Sequence, residues 1–84
     1  MSDMIEVDVY VSALKMTYDF VLDENTTVEN IIEELVEMVC QNERCLPTPA
    51  EYFELCCPQK EIICRHDATL REYCISNGDM LMLI

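Results

Sequence analysis

Apolar and polar positions alternate along the opening of the chain, where Ile5, Val7, Val9 and Val11 stand against Glu6, Asp8, Tyr10 and Ser12. A period of two built on β-branched residues predicts a half-buried strand. After a turn around Ala13-Leu14-Lys15, Tyr18, Phe20 and Leu22 repeat the alternation against Thr17, Asp19 and Val21. So short a connection predicts an antiparallel hairpin. The period then changes. In "DENTTVENIIEELVEMVCQNE", Val28, Ile31, Ile32, Leu35, Val36 and Val39 recur at helical spacing and form one apolar face. Thr26 or Thr27 can cap its first turn, and Thr26-x-x-Glu29 has the form of a capping box. Glu29, Glu33, Glu34 and Glu37 fall on the outer side. Like charges four apart are unfavourable by about 0.2–0.5 kcal/mol a pair, so this is either a solvated face or a dock for a basic partner.

The segment "QNERCLPTPAE" reads as the main loop, because Pro47 and Pro49 cannot continue a helix. "EYFELCC" returns to period two, with Phe53, Leu55 and Cys57 on one side and Tyr52, Glu54 and Cys56 on the other. Pro58-Gln59-Lys60 turns the chain into a short strand from Glu61 to Cys64, and "ATLREYC" predicts a single helical turn. An Asn77-Gly78 turn then leads into a strand from Met80 to Ile84. That last strand is apolar on both faces, as a strand in the interior of a sheet is. The order is ββαβββ in one domain over residues 1–84. These elements predict an α+β fold in the β-grasp arrangement, one helix lying across a mixed sheet.

Eighty-four residues with 51% hydrophobic content suit a small domain, in which only about 60% of the unfolded surface becomes buried. One glycine and three prolines argue against disorder. Seventeen acidic residues face five Lys and Arg, for a formal charge of −12. Such a surface repels phosphate backbones and anionic lipid, which argues against nucleic acid and bare membrane as partners. It fits either plain solubility or a basic protein partner. "MSDMIEVDVY" has neither a basic start nor a long apolar core, and no stretch approaches a membrane span. A cytoplasmic protein without direct membrane insertion is the expectation.

Six cysteines, at positions 40, 45, 56, 57, 64 and 74, include no C-x-x-C pair. Without an export signal they read mostly as small buried hydrophobes. Cys40-x4-Cys45 with Cys64-x-His66 is a metal site only if the fold brings the two together, and disulfides are a further alternative. No metal and no cofactor is expected. The single histidine, His66, lies in the polar stretch "CRHDA", where exposure is the simplest reading. Its neighbours Cys64 and Asp67 would have to meet it at hydrogen-bond range to act as nucleophile and base. No Gly-rich phosphate loop and no G-x-S-x-G is present. The chain does not read as an enzyme.

"TTVENIIEEL" resembles the capped start of the ubiquitin helix, and "TLREYCISNGDMLMLI" resembles the segment leading into the last strand of ubiquitin-like proteins. Within that superfamily the chain is most similar to the small bacterial YukD/EsaB-type proteins. Their ending has the form L-x-x-x-x-I-x-N-G-D-x-L-x-I. Leu70, Ile75, Asn77, Gly78, Asp79, Leu81 and, conservatively, Leu83 fall on it. The resemblance implies a non-catalytic cytosolic accessory or regulator of the type VII (ESX/WXG100) secretion machinery of Gram-positive bacteria. Its partners would then be proteins of a membrane secretion machine. A ubiquitin-like adaptor of some other cytosolic complex, or a thiol-based metal or redox protein, are the alternatives. The chain ends Met82-Leu83-Ile84 and its single glycine is in a turn. Conjugation and sulfur transfer, which need a Gly-Gly tail, are therefore not expected of this form of the chain.

If Leu81 and Leu83 face the helix, Met80, Met82 and Ile84 face outward. Tyr52 and Cys56 would join them from the neighbouring strand, with Glu54 between. Tyr52, Glu54, Cys56, Met80, Met82 and Ile84 are accordingly the candidate partner-binding residues. An apolar patch of this kind is covered by a protein partner, by a second copy in a homodimer, or by nothing.

Overall fold

The opening alternation becomes two eight-residue strands, β1 (Met4–Val11) and β2 (Met16–Asp23), paired antiparallel from Met4 opposite Asp23 to Val11 opposite Met16. They belong to a computed structural model that describes residues 3–44 and 48–84. The turn between them is closed by Leu14 N–H on the Val11 carbonyl and Lys15 N–H on the Ser12 carbonyl. Lys15 takes the left-handed conformation there, with φ 54°.

The helix α1 (Val28–Glu43) buries Val28, Ile31, Ile32, Leu35, Val36, Val39 and Cys40 along one side. Its start differs from the capping-box reading. Thr27, not Thr26, is the cap, and its side chain accepts from Asn30 N–H at 3.4 Å. Thr26 N–H is already used on the Asp23 carbonyl, so a reciprocal box has no donor left. Two more first-turn donors, Val28 N–H and Glu29 N–H, bond to the carbonyls of Ala68 and His66. These groups have no partner inside a helix, and a distant loop supplies them here. Gln41 to Glu43 are helical, and Arg44 closes the helix with a left-handed backbone. Cys45, Leu46 and Pro47 lie outside the described residues, and with them the expected break at Pro47 and half of the Cys40/Cys45 pair.

Strands β3 (Leu55–Cys57), β4 (Ile62–Cys64) and β5 (Met80–Leu83) complete one sheet in the order β2-β1-β5-β3-β4. β5 is central, parallel to β1 and antiparallel to β3, while β3 and β4 are antiparallel. The chain therefore has the predicted β-grasp arrangement, with the helix across one face. Two strands are shorter than the alternation suggests. Ala50–Tyr52 forms a 3-10 turn ahead of β3, and Glu61 caps the turn Pro58–Lys60 with φ 55° instead of entering β4. The helical turn expected near Thr69 is a 3-10 turn at Arg71–Tyr73.

The Asn77-Gly78-Asp79 turn is a clamp that launches β5 beside β1. Gly78 N–H donates to the Glu6 carbonyl at 2.9 Å, and Asn77 Oδ1 accepts from Glu6 N–H at 2.8 Å. The Asp79 carboxylate accepts from Ser76 N–H at 2.9 Å. Gly78 holds φ 86°, and a Cβ there would meet nothing within 4 Å. Backbone conformation alone, not space, asks for glycine.

Candidate functional site

With α1 covering one side of the sheet, the outward positions of the strands form an open face. Val9, Leu81, Leu83, Leu55 and Cys57 point to the core and are buried. The residues between them point away. The pairing aligns Thr17, Tyr10, Met82, Cys56 and Ile63 in one row across all five strands. Tyr10, Met82 and Cys56 are half-buried, whereas Ile63 is 67% exposed. One step along β5, Ile84 is exposed and exchanges both backbone hydrogen bonds with Glu54, at 2.8 and 2.9 Å. One step the other way, exposed Met80 lies opposite Asp8, which itself lies opposite Asp19.

Five of the six candidate residues thus lie on this face. Met80, Met82 and Ile84 are outward on the last strand and its end, with Cys56 and Glu54 beside them. Tyr52 is the exception to the strand reading. It is 72% exposed, but in the 3-10 turn before β3 and not at a ladder position. Tyr10 and Ile63 were missed. Tyr10 alternates visibly with Val9 and Val11, yet only the β1–β5 register puts it next to Met82. Ile63 sits in a three-residue strand, too short to display a period.

The thiol on this face is held toward its protonated form. The Cys56 thiol donates to the Met82 carbonyl at 3.5 Å, and burial, then Cys57 and Glu54, push it above its ordinary range. Burial, helped by Cys57 and Cys56, pushes Cys64 up to about 11. Thiols so shifted stay protonated at neutral pH. Cys40, Cys57 and Cys64 are buried, as small hydrophobes would be, but Cys74 is exposed. His66 is half-buried instead of exposed. Its Nε2 lies 2.9 Å from the Phe53 carbonyl and 3.5 Å from the Glu54 carboxylate. Asp67 is held by the Arg65 guanidinium at 3.0 Å, which lowers its carboxyl below the usual range. Cys64 turns into the core, so these neighbours in sequence serve separate structural contacts. Among the described residues no three His, Cys, Asp or Glu gather as metal ligands. No helix among them is long and apolar enough to cross a membrane. On the other side of the molecule Glu29, Glu33 and Glu37 line a shallow groove against Pro49, Ala50 and Glu51.

The sequence model of the YukD family, described as the WXG100 protein secretion system (Wss) protein YukD, matches residues 5–83. No curated protein matches in sequence. Among solved structures, a ubiquitin-like domain of an Arabidopsis thaliana protein superposes with a TM-score of 0.73 at 20% identity, covering 96% of this chain and 76% of that one. Caldiarchaeum subterraneum ubiquitin gives 0.68 at 17% identity, covering 96% and 91%. A chain of a toluene 4-monooxygenase complex with the inhibitor 4-bromobenzoate gives 0.75 at 15% identity, covering 95% of each. At these identities the structural likenesses establish the fold alone.

Proposed function

The chain belongs to the YukD family of the WXG100 secretion system, and from that premise we propose that it is a non-catalytic ubiquitin-like docking module. In this reading it is a cytosolic accessory of the secretion machinery that engages protein components of the machine through its open sheet face. The observation that carries the reading is the row Tyr10, Met82, Cys56 and Ile63, an apolar line continuous over four strands and flanked by Met80 and Ile84. Apolar surface gathered on one flat face is what a partner site requires. Methionine suits it, since its side chain repacks against different shapes.

Affinity capture from the native host, with Met82→Glu as the control, tests this. Wild-type protein should retain components of the secretion machine, and Met82→Glu should lose them while melting at nearly the same temperature. Retention of the same components by both proteins would remove the sheet face from the proposal. Retention of an unrelated cytosolic complex, lost on Met82→Glu, would favour the general adaptor instead.

A further inference from the structure

The open face also carries information about what covers it. None of the outward positions on its strands is a cation: they are Met4, Glu6, Asp8, Tyr10 on β1, Thr17, Asp19, Val21, Asp23 on β2, and the residues of the apolar row with Met80. Asp8 and Asp19 stand directly opposite each other, one strand step from Tyr10 and Met82. Like charges placed directly across a ladder are destabilising. The Asp8 carboxyl is pushed above its ordinary range, first by a hydrogen bond shared with Asp19, then by burial and by repulsion from it. The apolar row and the acidic pair are therefore two adjacent features of one surface.

We propose that the occupant of this face is a basic amphipathic helix of another protein, its apolar stripe lying along Tyr10, Met82, Cys56 and Ile63 and a lysine or arginine reaching Asp8 and Asp19. This rests on the docking reading above and names the partner's chemistry. A second copy of the chain does not fit, because each copy carries −12 and the outward strand positions of its own open face bring no cation to Asp8 and Asp19. An extended segment does not fit either. The ladder hydrogen bonds run in the plane of the sheet, so a strand laid flat on the face would leave its own N–H and C=O groups unpaired. A helix arrives with those groups satisfied. Its length is set by the row: Tyr10 to Ile63 is three inter-strand steps, about 14 Å, which corresponds to roughly 9–10 helical residues. The cation belongs about 7 Å to the side, one residue pair along the strands.

The probe is a displayed library of helical peptides with randomised outer positions, selected against the full 84-residue chain. Selected peptides should carry an apolar stripe with Lys or Arg beside it, and should shift the amide resonances of Tyr10, Ile63, Met80 and Met82. The double substitution Asp8→Asn/Asp19→Asn should weaken them by about tenfold, the loss of a rim charge contact, and added salt should weaken the wild-type complex in the same way. Peptides that are neutral or acidic, or that bind the double variant equally well, overturn the inference. If those peptides still lose binding on Met82→Glu, the docking face itself survives. Binding that maps away from the face sinks both. A library that yields no binder, or a homodimer broken by Met82→Glu, also overturns the basic helix. The melting temperature of the double variant shows that it remains folded.

Discussion

Glycine occurs once in this chain, at Gly78, but Lys15, Arg44, Glu61 and Cys74 also hold φ between 54° and 57°. Each such L residue costs roughly 1–2 kcal/mol in backbone sterics, a consequence of building tight turns from a glycine-poor sequence. Lys15→Gly and Glu61→Gly are expected to stabilise the fold by about 0.5–1 kcal/mol each, the steric relief less the entropy of glycine. A higher urea midpoint checks this; a lower one would mean that side-chain contacts at those positions outweigh the strain. Asp8 makes a second residue-scale test. Its folded-state carboxyl lies above the ordinary range because of Asp19 and burial. Its stabilising contribution is therefore present at low pH, below the unfolded value, and is lost as pH rises through the folded value. Asp8→Asn should raise the melting temperature at neutral pH, and the gain should fade as the pH drops below the ordinary Asp range of about 3.9, where the Asp8 carboxyl is protonated folded and unfolded alike. An unchanged melting temperature at neutral pH would mean that the Asp8–Asp19 opposition is fully relaxed by solvent.

At the scale of elements, periodicity carried the assignment wherever a run was long enough to display one. β1, β2 and the buried face of α1 were legible for this reason; β5, apolar throughout, left its facing conditional, and the structure buries Leu81 and Leu83 and exposes Met80 and Ile84. Leu83→Ala should accordingly cost about 2–5 kcal/mol, whereas Met82→Glu should cost less than about 0.5 kcal/mol. Paired thermal melts decide it, and equal losses would show that the outward side of β5 is packed as tightly as the inward one. What was not legible depends on partners distant in sequence. The helix start is the clearest case, because the distant His66 carbonyl takes Glu29 N–H, a donor that a box at Thr26 would have served. Thr27→Ala should therefore cost about 1 kcal/mol as a lost cap, and Thr26→Ala should stay within about 0.5 kcal/mol. A larger loss at Thr26 would restore the box. Tyr52 was placed in a strand for a similar reason: the alternation around Phe53 and Leu55 extends by one residue into a turn whose Tyr52 N–H closes on the Pro49 carbonyl.

For the molecule as a whole, the position of the last strand organises everything else. β5 joins the β1–β2 hairpin on one side to β3 and β4 on the other, so the candidate face exists only because chain segments far apart in sequence are held in register through it. The burial of Leu81 and Leu83, not a sequence period, shows which way Met82 points, and the row linking it to Tyr10 and Ile63 needs the ladder. The same compactness concentrates charge. A net −12 is confined to a body with a radius of gyration of 11.8 Å, about the distance over which 0.1 M salt screens exposed charges. Among the described residues arginine meets carboxylate in Arg65 with Asp67 at 3.0 Å and in Arg71 with half-buried Glu24 at 3.8 Å, and pairs at the surface contribute little. Repulsion should therefore dominate the salt response. Raising NaCl from about 10 mM to about 0.2 M should increase the melting temperature by several degrees, since 1 kcal/mol corresponds to about 4–8 °C in a domain of this size. The Glu29, Glu33 and Glu37 ridge on α1 and the Asp8–Asp19 pair should account for part of that rise, so Glu33→Gln and Asp8→Asn should each flatten it. A melting temperature that falls with salt would mean that the scattered cations stabilise the fold more than the carboxylates oppose it.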